Sequence, residues 1–253
     1  MILSLLYNLN TKEGVIITLT TLLLRIPAVL LALSVHEAAH GWVANKCGDP
    51  TAKNLGRITI NPIKHLDPIG AVSMLLFGIG WAKPVPVNSR YFKKPKRDMA
   101  LTAAAGPVSN VLQGVVGMFI LFISTKILLA DLGATTPEAF GNYGGMYGLI
   151  FVLIFEYAIK YKVIAILLFF LLIYATLNFS LALFNLIPIP PFDGSRILFV
   201  FLPDKYYFGI MKYERIIMIV FLVLFFGASR LGLFDDIFMA FINLVFKAFA
   251  WIL

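Results

Sequence analysis

The sequence predicts an all-α polytopic membrane protein, and three observations carry that prediction. Of the 253 residues, 60% are hydrophobic and 13% charged, against about a quarter charged in soluble domains. The mean hydropathy is +0.90. Several runs approach or exceed the roughly 20 apolar residues that a helix needs to cross the hydrocarbon core, and the alternating pattern of a lipid-facing β-barrel is absent. The expected architecture is a single domain over residues 1–253 with about five to six transmembrane helices. Its core covers about 15–200, additional C-terminal helices cover about 204–253, and a small re-entrant β element lies between the first two core spans.

The N-terminal MILSLLYNLNTKEG has no basic residue ahead of its apolar run and no small-residue cleavage site. It is therefore expected to be retained rather than removed as a signal peptide. The first span, residues 15–44, closes with ALSVHEAAHGWVA. Residues 45–98 then carry ten basic side chains, from Lys46 to Arg97, which places them on the cytoplasmic side by the positive-inside rule. Within them, IGAVSMLLFGIGW (69–81) is apolar but short of spanning length and flanked by Pro68 and Pro84. Crossing would carry the basic cluster RYFKKPKR (90–97) outside, so this stretch reads as re-entrant. The flanking GRITINP and AKPVPVN read as extended. Non-helical backbone at membrane depth is tolerated only where it is buried in protein or lines a watery cavity, so a cavity is expected here.

A second span covers residues 99–129. Its cluster AAAGPVSN (103–110) supplies small side chains for close helix approach, and Pro107 is expected to kink it. Residues 130–145, with Asp131 and Glu138, form an outer loop. Residues 145–159 are expected to lie along the outer face without crossing, and 163–186 to run back inward. Spans 206–227 and 231–253 complete the chain.

The formal charge of +8 points to anionic headgroups rather than nucleic acid: the basic cluster adjoins membrane helices and only two aromatics interleave it. The single cysteine, Cys47, excludes an internal disulfide and a thiolate metal cluster, and reads as a small buried or interfacial residue.

The chemistry lies in HEAAH. Each ionised group near the bilayer centre costs about 2.5–3.5 kcal/mol on insertion scales, so ionisable residues there mark a functional site. His36 and His40 are one turn apart and about 40° apart around a helix, so both imidazoles reach one ion. Glu37 falls beside them, placed to hold and deprotonate a water. Core histidines bonded between helices are the competing reading, which strands three costly groups for little gain.

A catalytic zinc needs a third protein ligand. In NLIPIPPFDG (185–194), Asp193 follows three prolines in an apolar context, where broken backbone can turn a carboxylate inward. Its alternative role is to cap a helix starting at Gly194. Asn110 and Asn185 are polar groups on membrane segments, suited to holding substrate or an oxyanion, or to interhelical hydrogen bonds. The third histidine, His65, reads as a loop residue bonded to Asp67, with contact to substrate or metal as the alternative.

HEAAH near the end of an early span, GPVSN in the next and NLIPIPPFDG after a later one together resemble the site-2 protease family of intramembrane zinc metalloproteases, in its short form without a PDZ-like domain. The similarity covers most of residues 30–200. It implies one Zn2+ per chain on His36, His40 and Asp193, with Glu37 as catalytic base. It also implies a β element that presents extended substrate, transmembrane-helix protein substrates, and a prokaryotic cell membrane location with the active site towards the cytoplasm. Two other classes compete. A metal-ion carrier requires further ligands along a path, of which the later spans offer few besides Glu156. A silent helix-binding scaffold has no use for an intact HExxH.

Asp193 must share a depth with His40, because a zinc-bound oxygen sits about 2.0–2.2 Å from its metal. In a Cys47→Ser background, single cysteines at Lys94 and Lys205 are expected to label from the cytoplasm and one at Thr135 from outside. Labelling of Lys94 and Lys205 from opposite sides contradicts this topology.

Overall fold

The computed structural model describes residues 11–77, 82–133, 150, 159–229, 233–249 and 252. Three long helices form the core: α1 (Lys12–Lys46), α4 (Pro95–Asp131) and α5 (Ile159–Asn185), of 35, 37 and 27 residues. Each is long and apolar enough to cross a membrane. Between α1 and α4 lie the short α2 (Thr51–Asn54) and the ten-residue α3 (Pro68–Phe77). Beyond α5 follow α6 (Asp193–Leu198), α7 (Asp204–Met211), α8 (Glu214–Ser229) and α9 (Leu233–Phe249).

Local chemistry sets the helix ends. The Thr11 hydroxyl accepts from the Gly14 N–H at 3.0 Å and starts α1. Pro95 opens α4, where it has no N–H to leave unpaired. The Asp98 carboxylate reaches back to the Lys94 N–H at 3.0 Å and pairs with Arg97 at 2.7 Å. Asp67 accepts from Gly70 and caps α3.

Helix α4 is the shared partner of α1 and α5, and its small residues permit this. A Cβ at Gly114 would stand 3.0 Å from the Phe179 ring, and one at Gly117 would stand 3.3 Å from Tyr174. Helix α5 therefore lies against α4 backbone, the close approach that small residues allow in membranes. Around this contact Met118, Leu121, Phe122, Leu129, Leu168 and Leu172 are almost fully buried. Leu23, Leu112, Ile127 and Leu167 instead face outward at 59–66% exposure, as lipid-facing residues do.

Both ends of the core are fastened. At one end the Lys96 ammonium donates to the Leu202 carbonyl at 2.5 Å, and Arg196 pairs with Glu214 at 3.6 Å. At the other, the Tyr161 hydroxyl donates to Asp131 at 3.1 Å. The start of α4 and the segment after α5 thus share one end of the bundle.

Several expectations need revision. Among the described residues there is no β-strand. The segment 82–88 is extended, but Pro84 and Pro86 have no N–H and Arg57 takes the Lys83 and Pro84 carbonyls, so no ladder forms along it. Three described helices have spanning length, where five to six were expected. The expected span 206–227 is broken at Lys212 and Tyr213 into α7 and α8, and α8 and α9 have 16 and 17 residues. The apolar stretch 69–81, expected to be re-entrant, is helical as far as Phe77, and 78–81 lie outside the described residues. The outer loop (130–145) beyond residue 133, and the segment 145–159 except its residues 150 and 159, also fall outside them.

Candidate metal centre

The HEAAH turn near the C-terminal end of α1 points its two imidazoles at α4 and α6. The Nε2 atoms of His36 and His40 are 3.0 Å apart, and a carboxylate oxygen of Glu37 lies within 4.8 Å of the ligand nitrogens. Asp193, the first residue of α6, brings Oδ2 to 3.3 Å from His36 Nε2 and 3.4 Å from His40 Nε2. The edge of a zinc tetrahedron with bonds of about 2.0–2.1 Å is about 3.3–3.4 Å. The three ligand atoms therefore have nearly the mutual spacing of one face of such a site.

The electrostatics of the triangle point the same way. His40 Nδ1 lies 2.7 Å from the Thr102 carbonyl, and a carbonyl only accepts, so Nδ1 carries the proton and Nε2 presents a lone pair. His36 Nδ1 meets the side-chain oxygen of Asn110, with the same consequence. Two lone pairs and a carboxylate oxygen then face one another without a donor, a repulsive arrangement that a cation relieves. The side chains involved are 7–18% exposed, which leaves little room for water to screen them.

Backbone proximity builds the pocket. A Cβ at Gly106 would lie 2.5 Å from His36 Cε1 and from His40 Nε2, so α4 can pass behind the imidazoles only as glycine. Asp193 is set by the break after α5: Pro188, Pro190 and Pro191 cannot continue that helix. Gly194 then packs against it so closely that a Cβ would stand 2.3 Å from the Leu186 carbonyl oxygen. The Phe192 ring packs edge-on to Phe221 on α8, with centroids 5.0 Å apart.

Glu37 is 9% exposed, and its Oε2 accepts from the Val85 N–H at 2.8 Å. Val85 stands between two prolines, so its amide is the one backbone donor of Pro-Val-Pro, and it is given to the glutamate. Gly41 makes room for this contact, since a Cβ there would come within 3.2 Å of the Val85 side chain. Arg57 holds the Lys83 and Pro84 carbonyls at 2.8 and 3.2 Å, and the Asn88 N–H donates to buried Asp49 at 2.6 Å.

Of the remaining candidates, Asn110 touches the centre through His36, and Asn185 and His65 are bonded elsewhere. Asn110 is fully buried and also donates to Asn178 at 2.9 Å. Asn185 donates to Leu181 of its own helix at 3.0 Å, an intrahelical bond and not an interhelical one. His65 is 2% exposed and bonds the Thr59 carbonyl at 2.8 Å, where Asp67 was expected. Burial holds its imidazole below the usual histidine range, partly offset by that carbonyl. Neither bond brings Asn185 or His65 to the histidine pair. Sequence reasoning took Gly106 only as one of a cluster of small residues for helix approach and missed Thr102, Val85 and Asn178. The Gly-Pro pair and an asparagine within a span were visible signals for two of them, whereas Thr102 and Val85 act through backbone atoms that no side-chain pattern encodes.

The family described as Peptidase family M50 matches residues 25–228, a stretch that contains every residue of this centre. A curated Bacillus subtilis (strain 168) protein named "Putative zinc metalloprotease YwhC" is 40% identical over 197 residues, covering 78% of this chain and 77% of that protein. No solved structure matches the chain.

The steric role of Gly106 can be tested. Gly106→Ala is expected to displace both imidazoles and weaken zinc binding by about tenfold or more. Gly209→Ala, whose Cβ meets nothing within 4 Å, is expected to bind as wild type. Equal zinc affinity in the two variants, measured by chelator competition, contradicts the role assigned to Gly106.

Proposed function

Since the chain belongs to peptidase family M50, the site-2 protease family, we propose that it is an intramembrane zinc metalloprotease that hydrolyses peptide bonds in or near transmembrane segments of membrane-protein substrates. The observation that carries this reading is the triangle of His36 Nε2, His40 Nε2 and Asp193 Oδ2, with edges of 3.0–3.4 Å and Glu37 beside it. These three side chains would hold one zinc ion per chain. When bound, zinc supplies Lewis-acid polarisation of the scissile carbonyl and makes water a nucleophile near neutral pH.

The chain's own residues do the rest. Glu37 takes a proton from the attacking water and returns it to the leaving amine. The Val85 amide holds one of its oxygens in place, so the carboxylate does not turn away between the two transfers. Low exposure around the imidazoles strengthens each of these polar contacts. A helical substrate hides its peptide groups in i to i+4 bonds and must be unwound before hydrolysis. The basic residues of 45–98 support a centre towards the cytoplasmic side, and the Bacillus subtilis relative supports a prokaryotic cell membrane. A metal carrier would need further ligand groups along a path. Among the described residues His36, Glu37 and His40 are the cluster of three such side chains, which favours fixed-site chemistry.

Glu37→Gln keeps the volume and removes the base. Purified Glu37→Gln protein is expected to retain near-stoichiometric zinc and to lose at least about a hundredfold in cleavage of a membrane-helix reporter. His36→Ala is expected to lose the zinc itself, because two ligands hold the ion weakly. Cleavage by Glu37→Gln at a rate near wild type would remove Glu37 as the base.

A further inference from the structure

The His36 tautomer rests on a chain of buried amides that ends far from HEAAH. An asparagine side chain can turn either face to its neighbour, oxygen or nitrogen, so Asn110 alone does not decide which atom His36 Nδ1 meets. The decision is made further along. Asn110 Nδ2 donates to Asn178 Oδ1 at 2.9 Å, and Asn178 Nδ2 donates to the Tyr174 carbonyl at 2.9 Å.

The end point is unambiguous, because a backbone carbonyl has only lone pairs. Asn178 must therefore give it the NH2 group and show its oxygen to Asn110. That oxygen takes the Asn110 NH2 group, which leaves the Asn110 oxygen on His36 Nδ1. The imidazole is then protonated at Nδ1 and carries its lone pair on Nε2, facing His40 and Asp193. Asn110 and Asn178 are both fully buried, so no water competes for either amide and a flipped Asn110 would set acceptor against acceptor at Asn178.

We propose that Asn178 is a positioning residue for the metal centre: through Asn110 it fixes the polarity and orientation of His36 as a ligand. His40 receives the same instruction directly from the Thr102 carbonyl. His36 receives it from α5 across α4, which couples the ligand geometry to the seating of all three core helices. The proposal rests on the zinc reading of the site. Its new content is that α5, which supplies none of the three ligand atoms, sets the affinity of the site.

The test compares wild type, Asn178→Leu, Asn110→Leu and the double variant, each purified as the full chain. Zinc affinity is read by chelator competition, and ligand geometry by the d–d absorption of the Co2+-substituted protein. Asn110→Leu is expected to weaken zinc on the order of 10- to 100-fold, as loss of an outer-shell partner does. Asn178→Leu is expected to weaken it about tenfold and to shift the cobalt bands. The double variant is expected to bind no more weakly than Asn110→Leu, because on this proposal Asn178 acts on the metal through Asn110.

Zinc affinity within twofold of wild type in Asn178→Leu, with His36→Ala defective, overturns the proposal alone. So does a double variant whose loss is the product of the two single losses. If Asn178→Leu does not fold, Asn178→Ala, which likewise removes the acceptor for the Asn110 amide, is read against the same twofold threshold. Zinc binding unchanged in His36→Ala overturns the metal reading, and this proposal with it.

Discussion

Two imidazole lone pairs and a carboxylate oxygen, 3.0–3.4 Å from one another and largely shut off from water, repel unless a cation lies between them. Each is costly in an apolar bundle by itself, and each is held there by groups that cannot adapt. The Thr102 carbonyl aims His40, the Asn110 amide aims His36, and Gly194 seats Asp193 against the end of α5. Much of the surrounding architecture serves to keep these three atoms together. The closeness of α4 to α1 depends on Gly106, and the turn that carries Asp193 depends on the helix break at Pro188.

Helix α4 therefore does more than span. Along one side it carries Thr102, Gly106, Asn110, Gly114 and Gly117, which in turn orient one histidine, clear space for both, orient the other, and admit α5. Its first turn is tied to the segment beyond α6 through Lys96 and Leu202, so Asp193 is anchored to the helix that backs the histidines. Glu37 is fastened separately. Arg57 and Asp49 hold the extended segment 82–88, and Val85 at its centre holds Glu37. The hydrogen bonds that orient the two histidines and the one that holds Glu37 thus come from different segments, although all three side chains ride on α1.

Much of the centre was legible in the sequence because its side chains are chemically conspicuous there. Two histidines and a glutamate at helical spacing have no inexpensive alternative in an apolar chain, and beside them an aspartate after three prolines reads as a ligand rather than as a helix cap. What stayed hidden depends on backbone atoms or on absent ones: the Val85 amide, the Thr102 carbonyl and the missing Cβ of Gly106. Asn178 meets the criterion that singled out Asn110, a polar side chain within a span, but its partner is fixed only by how α4 and α5 meet. The expected β element shows the opposite error. Extended character was visible in AKPVPVN, but the two prolines and the demands of Glu37, Arg57 and Asp49 take up the groups from which a ladder would be made.

X-ray absorption at the zinc edge of the purified full chain, compared with Asp193→Ala, tests the convergence of these ligands most directly. The account predicts one zinc per chain with two imidazole nitrogens at about 2.0–2.1 Å, oxygen at about 2.0–2.2 Å and no sulfur, and loss of most of the zinc in Asp193→Ala, which leaves two ligands. A zinc shell containing sulfur or a single imidazole, or a shell unchanged by Asp193→Ala, would contradict it.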